Sequence, residues 1–502
     1  MNQPRLPIYH QMQEVQRPQK ARAHNLGHGR SNTMGFWQRS AFSLAFLNAT
    51  LLWDRVHAQE CDKGVHPRPS LSRILQEEAQ HMLTRKTLFA CIGIFAIAVM
   101  ALSGCASNSS NNGNGSGLKT GPGVDVASKT ITLGIISPYS GPVAAPVGDP
   151  LANGVETFFK HVNDNGGING YKVKFIEEDS QYNPQIEVQK YNQIHNQVLM
   201  IADSLGTATT FAIKDLAAAD HMLVSAATLS SALAREKYLV LVGTPYRLQV
   251  ENAFDYVVNK VGVKNPATGI IYQNDEYGQD GLTGYKEAVS AYQMHDVAEA
   301  SYAPTDTDFT AQVSQMKAKG AKYVFLTTLP LVTASIVGKA AQLGYNPQWI
   351  LQSPAWANGL LAVPALKPLL IKVWVMSQGA TWGDTSVPGM AQLLQDVQKY
   401  APTQKPDGYF EFGYAESEIT YAILKKAMAN NDITRDGLYN AFLSLHNVDL
   451  GGLLPPATYG SSPDQRVPTR DSVVFQVDPT QPADFRALTP DFTGTAAQQS
   501  HF

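Results

Sequence analysis

From Ile131 to Leu343, strand-like and helix-like segments take strict turns, and this alternation narrows the possible fold more than any other feature. Ile131–Ile136 is a short, largely apolar run of the kind shown by a strand buried on both faces. Behind it, Val155, Phe158, Phe159 and Val162 recur at i, i+3, i+4 and i+7, the stripe of an amphipathic helix, which Gly166-Gly167 stops. The same reading predicts strands over Tyr171–Glu178, Val198–Ala202, Met222–Ser225, Gly269–Tyr272 and Lys322–Thr327. Between them it predicts helices over Pro184–Gln197, Thr207–Ala219, Arg247–Asn259, Tyr277–Tyr292, Asp308–Lys319 and Pro330–Leu343. Units that alternate in this way build parallel sheets covered by helices on both faces. About ten of them overfill one compact sheet, so two doubly wound α/β lobes are expected.

The chain before residue 129 does not share the pattern. Arg85 and Lys86 precede an apolar run from Thr87 to Leu102, and Ser103-Gly104 leads into Cys105. A basic start, an apolar stretch and small residues before a cut site make residues 82–105 a secretory signal peptide. The run is short for a membrane span, which needs ~20 apolar residues. Leu102-Ser-Gly-Cys105 resembles the bacterial lipobox, so Cys105 is expected to carry the lipid that holds the protein on the outer face of a cell membrane or in the periplasm. An uncleaved membrane anchor is the alternative, and it exports the same domain. Residues 1–81 hold six of the 12 histidines and read as a non-native or disordered extension, with Met82 the true start. Residues 106–128 are rich in Ser, Asn and Gly and read as a flexible tether.

Charge and motifs remove several functions. Residues 105–502 carry a net −9, which argues against nucleic acid as a partner, because phosphate contacts rest on clustered Lys and Arg. The three cysteines are Cys61, Cys91 and Cys105, so the folded region has neither an internal disulfide nor a cysteine metal site. There is no phosphate-binding G-x-x-x-x-G-K-[ST], no H-E-x-x-H and no G-x-S-x-G. Ser314-Gln-Met-Lys317 matches S-x-x-K only on a plain amphipathic helix. No enzymatic activity, metal or cofactor is expected.

Four motifs carry a family resemblance: Gly134-Ile-Ile-Ser-Pro138-Tyr-Ser-Gly141-Pro142, Asn163-Asp-Asn-Gly166-Gly-Ile-Asn-Gly170, Ser225-Ala-Ala-Thr228 and Asn274-Asp-Glu-Tyr277-Gly278. In this order and spacing, over roughly residues 129–480, they resemble the type I periplasmic binding proteins of the branched-chain amino acid (Leu/Ile/Val-binding) family. The resemblance implies two α/β lobes joined by three crossing strands, closing on a small molecule that is delivered to an ABC transporter permease. Lobe one is expected to comprise 129–246 plus 383–450, and lobe two 247–382 plus 451–490, with 491–502 a tail.

The turns after the lobe-one strands bring Tyr139, Gly206, Thr207, Ala226, Ala227 and Thr228 to carboxyl strand ends, where open α/β sheets bind ligands. Free N–H groups at helix starts and the two threonine hydroxyls suit a carboxylate or another oxygen-rich group; helix capping is the plainer role for Thr207 and Thr228. Tyr246, Tyr277, Trp356 and Trp382 fall in expected loops and complete the candidate cleft, and the resemblance implies a cleft-lining tyrosine at Tyr277. Where the family's amino acid binders place acids against the ligand ammonium, this chain has Tyr246-Arg247 and Ser353-Pro354. The expected ligand is therefore an amino acid, amide or small organic acid, with a neutral or acidic one favoured. A ligand-sensing receptor domain of the same fold and an α/β hydrolase are the rival readings.

Overall fold

The computed structural model describes residues 117–404, 407–481 and 484–502. The N-terminal extension, the signal segment with Cys105 and the first part of the tether lie outside the described residues. Among the described residues, two sheets organise two lobes. The lobe-one sheet has six strands, with Thr130–Ser137 flanked in parallel by Lys172–Asp179 and Ile201–Leu205. Val224–Ala227 and Leu239–Val240 extend it, also in parallel. The lobe-two sheet has seven strands, with Ala267–Gln273, Tyr323–Thr327, Gln348–Leu351 and Trp374–Ser377 parallel at its centre. Val473–Val477 and Phe485–Ala487 close one edge of it antiparallel. Helices packed on both faces bury Ile131, Leu133, Ile135, Phe159 and Ile201 in lobe one, and Val324, Leu326, Ile336 and Leu351 in lobe two. Central strands therefore read as apolar runs because neither face meets water.

Helix Gly408–Ala429 returns to lobe one and lies against helix Asp149–Asp164. The approach is close: a Cβ on Gly154 would come within 2.1 Å of the Phe410 carbonyl oxygen. That contact presses the first turn of the returning helix towards the space between the lobes.

The chain passes between the lobes three times, and the passages touch. Thr244 on the first donates its N–H to Gln378 on the second and its hydroxyl to the carbonyl of Asp471 on the third. Asn252 also donates to Arg470 O at 3.0 Å. One residue therefore links all three passages.

Three expected boundaries shift. The tether orders before residue 128, because Lys119–Thr120 pairs with Asp432–Ile433 and Val124–Asp125 pairs with the start of the first lobe-one strand. Backbone pairing holds this stretch, and apolar periodicity does not register it. Residues 451–467, expected in lobe two, pack on lobe one through Leu453, Leu454, Ala457 and Tyr459. The chain enters lobe two only near Val473. The tail forms helix Thr495–Gln499, whose Ala496 N–H donates to Tyr292 Oη at 3.1 Å.

Candidate functional site

A cavity of about 160 Å³ lies between the lobes. At roughly 10–15 Å³ per water it holds on the order of ten waters, the space of a small organic molecule.

The lobe-one wall starts at the ends of two central strands. Leu205 leads into Gly206, whose φ of 105° only glycine adopts without strain, and helix Thr207–Ala219 begins at once. No side chain caps that helix, so its first N–H groups remain free at the cavity wall. Thr207 does not cap. Its Oγ1 lies 2.6 Å from Thr228 Oγ1, and the two buried hydroxyls form a pair. Tyr246, at the first passage, donates its N–H to Leu229 O at 2.8 Å. Its ring stands edge-on to Tyr277 of lobe two, at 4.9 Å and 67°. Tyr277 opens helix Glu276–Tyr292 under the Asp275 cap and donates its hydroxyl to Thr328 O at 3.0 Å.

Lobe two supplies an apolar face of Trp356, Val375, Phe475 and Phe485, with Trp356 and Phe485 5.3 Å apart. The indole N–H of Trp356 is buried with no partner among the described residues. Trp382 lines the cavity from the second passage. Two hydrogen bonds join the lobes at its rim: Tyr409 Oη donates to Pro354 O at 2.7 Å, and Gln352 Nε2 to Tyr246 O at 2.8 Å.

The first turn of helix Gly408–Ala429 brings Asp407, Tyr409, Glu411 and Phe412 to the wall. Asp407 caps the helix, accepting from Tyr409 N at 3.0 Å and Phe410 N at 3.4 Å. Burial pushes its carboxyl up to about 6 despite those bonds. Burial, reinforced by Asp407, holds the Glu411 carboxyl well above the ordinary carboxyl range. Among the described residues of the lining, these are the only two ionisable carboxyl, amine, guanidine or imidazole groups, and both are acids.

Of the residues singled out from sequence, Gly206, Thr207, Ala227, Thr228, Tyr246, Tyr277, Trp356 and Trp382 line the cavity. Tyr139 and Ala226 do not. The carboxylate of Asp179 accepts from Tyr139 N at 3.0 Å and Ser140 Oγ at 2.6 Å, and the Tyr139 ring packs on the lobe-one core. Ala226 faces the buried side of its strand, while Ala227 beside it faces the cavity, as the two-residue period of a strand requires. Ser353 and Pro354 line the wall without a charge, and Arg247 is drawn away by Glu287, with Nη2 2.7 Å from Oε1. Sequence reasoning missed Tyr182, Asp407, Tyr409 and Glu411. A cap aspartate with a glutamate four residues on was the available signal, but it marks any helix start. Among the described residues no group of three or more His, Cys, Asp or Glu could hold a metal ion, and no helix is long and apolar enough to cross a membrane.

A sequence model described as "Periplasmic binding protein" matches residues 130–483. Leu/Ile/Val-binding protein homolog 3 of Brucella melitensis is 29% identical over 200 residues, 39% of this chain and 53% of that protein, so the match spans about half the length of the curated relative. The solved fatty acid ABC transporter substrate-binding protein from Thermomonospora curvata superposes with a TM-score of 0.71 at 29% identity, covering 76% of this chain and 97% of that one. A branched chain amino acid ABC transporter structure from Thermus thermophilus with bound valine has a TM-score of 0.65 at 17% identity, covering 74% and 98%, and shares the fold.

Proposed function

Because this chain belongs to the periplasmic binding protein family, we propose that it captures a small solute outside the cell and hands it to an ABC transporter permease. The solute has a mainly apolar body and one compact polar head. The observation that carries this reading is the interlobe cavity itself, with aromatic and aliphatic side chains from both lobes around a few polar groups. Enclosure by two lobes on a three-passage hinge suits capture by closure, since each lobe alone exposes only half of the contact surface. The Thermomonospora and Brucella relatives are both named for solutes with apolar parts. Cys105 anchors the protein by lipid, following the lipobox-like Leu102-Ser-Gly-Cys105.

A thermal-shift panel of apolar acids, amides, amines and amino acids tests the binding reading. A solute that binds the folded state must raise the melting temperature, and a panel without any such compound refutes it. Metabolic labelling with a lipid precursor tests the anchor: Cys105→Ser is expected to abolish both the label and membrane fractionation.

A further inference from the structure

Among the described residues, the cavity lining holds two carboxyl groups and several hydrogen-bond donors, and no cation. Asp407 and Glu411 sit four residues apart, cap and first turn of one helix, and are 9% and 7% exposed. Two anions so placed in an apolar wall cannot both persist, because each raises the cost of ionising the other. Asp407 is the one stabilised as an anion, by two backbone N–H groups. Glu411 has no such donors among the described hydrogen bonds, so the proton resides there. The groups facing this turn are Tyr409 on the same helix, Tyr182 from the loop before helix Pro184–Ile194, Tyr246 from the first passage and Tyr277 from lobe two. Helix Asp149–Asp164 meets it through Leu151 and Gly154. None of these is a cation.

A neutral carboxyl is an O–H donor. A second observation points the same way: the Trp356 indole, 6% exposed, lines the cavity with its N–H unpaired among the described residues. An indole N–H can only donate, so an ammonium ligand would leave it unsatisfied. The Thr207–Thr228 pair also shares one hydroxyl hydrogen between the two oxygens and leaves the other available. A cavity with spare donors and, among the described residues, no fixed cation suits an oxygen head group that can share a proton.

Building on the proposed solute-binding role, we infer that the solute is an apolar monocarboxylic acid whose head group accepts a hydrogen bond from the neutral carboxyl of Glu411, with the Trp356 indole N–H as a further donor. The O–H···O⁻ bond so formed is of the strong, charge-assisted kind. One proton is held jointly by ligand and Glu411, so raising the pH removes it and weakens binding. An ammonium ligand reverses the sign, because it gains as the carboxyls ionise.

The test is calorimetric titration of the full chain with octanoic acid, octanamide, octylamine and leucine at pH 5.5, 7 and 9, alongside Glu411→Gln and Glu411→Ala. Octanoic acid is expected to bind best, and its affinity to fall with rising pH by up to about tenfold per pH unit, the limit for one linked proton. Glu411→Gln keeps a donor that cannot ionise, so it should retain octanoic acid binding and flatten the decline between pH 7 and 9. Glu411→Ala should lose roughly ten- to a hundredfold at pH 5.5. Preference for octylamine or leucine, octanoic acid affinity that rises with pH, or equal losses in the two variants would each overturn the inference while leaving the solute-binding reading intact. If no compound binds and none raises the melting temperature, both fall.

Discussion

Lobe one and lobe two follow the same alternating plan, but they differ in how their buried carboxyls are partnered and in what they turn towards the cavity. Lobe one hides carboxyls: Glu187, Asp203 and Glu416 are fully buried beneath its sheet, and Asp407 and Glu411 reach the cavity from its returning helix. Ser204 Oγ donates to Glu187 at 2.8 Å, but the carboxylate oxygens of Asp203 and Glu416 have no partner among the described residues. Lobe two also buries carboxyls, but each has a partner: Glu251 accepts from Ser500 Oγ at 2.7 Å, Asp255 from Asn259 Nδ2 at 2.8 Å and Asp280 from Ser231 N at 2.9 Å, all outside the cavity lining, and lobe two's face of the cavity is largely aromatic and aliphatic. The difference assigns the two walls separate tasks. In the proposed binding mode, lobe one offers the head group a proton and a hydroxyl pair, while lobe two closes a largely apolar surface over the body and adds the Trp356 N–H.

The largest expected effect tests lobe two as an apolar lid. Tyr277→Ala removes a buried ring packed on Tyr246 and should lower stability by about 4 kcal/mol, in line with large-to-small core changes. Denaturant unfolding reads this, and a loss under ~1 kcal/mol would show that the ring is not part of the packed interface.

A pH series sharpens the contrast next. Burial pushes Glu187 up to about 8 in the folded state, against an ordinary carboxyl near 4.5 when unfolded. A group held protonated by folding contributes its full stability below the unfolded value and loses it as pH rises towards the folded one. Stability should therefore fall between pH 5 and 8 by on the order of 3 kcal/mol. Glu187→Gln should flatten that decline in a pH series of unfolding free energies, and an unchanged slope would place the proton elsewhere. Burial raises Asp203 and Glu416 in the same direction, so some slope remains.

Thr228→Val breaks the hydroxyl pair on the lobe-one wall and leaves Thr207 Oγ1 buried without its partner, a cost of about 2 kcal/mol. If Thr228 mattered only to its loop, through the 3.3 Å bond its Oγ1 accepts from Ser230 N, the melting temperature would drop with ligand affinity unchanged. The smallest effect lies between the lobes. Tyr409→Phe removes the 2.7 Å bond to Pro354 O and should shift the balance between open and closed lobes by about 1 kcal/mol. Small-angle scattering without ligand detects the shift as a larger radius of gyration.

Much of this was legible because alternation is a local property. Strand Thr130–Ser137, helix Asp149–Asp164 and their successors lie within a few residues of the expected bounds, and the glycine turn at Gly206 marks a strand end at the cavity. The cavity lining was legible where it follows from those strand ends, at Gly206, Thr207, Ala227 and Thr228. It was not legible at Asp407 and Glu411, since the returning helix reaches the cavity only by packing on Asp149–Asp164. Tyr139 lies outside that lining for the converse reason: its motif suggested a cleft, but its backbone N–H is held by the Asp179 carboxylate forty residues away.

The sequence by itself determined the alternating units, the parallel sheets, the strand-end turns and the absence of a cysteine or histidine metal pattern, because these rest on spacing and residue type. Only the tertiary structure decided which walls meet. It set Tyr277 of lobe two against Tyr246, tied the three passages through Thr244, held the 117–128 stretch by strand pairing and brought two acids into an apolar cavity. The physical reason is that the charge state of Glu411, like the enclosure of the cavity, depends on what several distant segments exclude from water together.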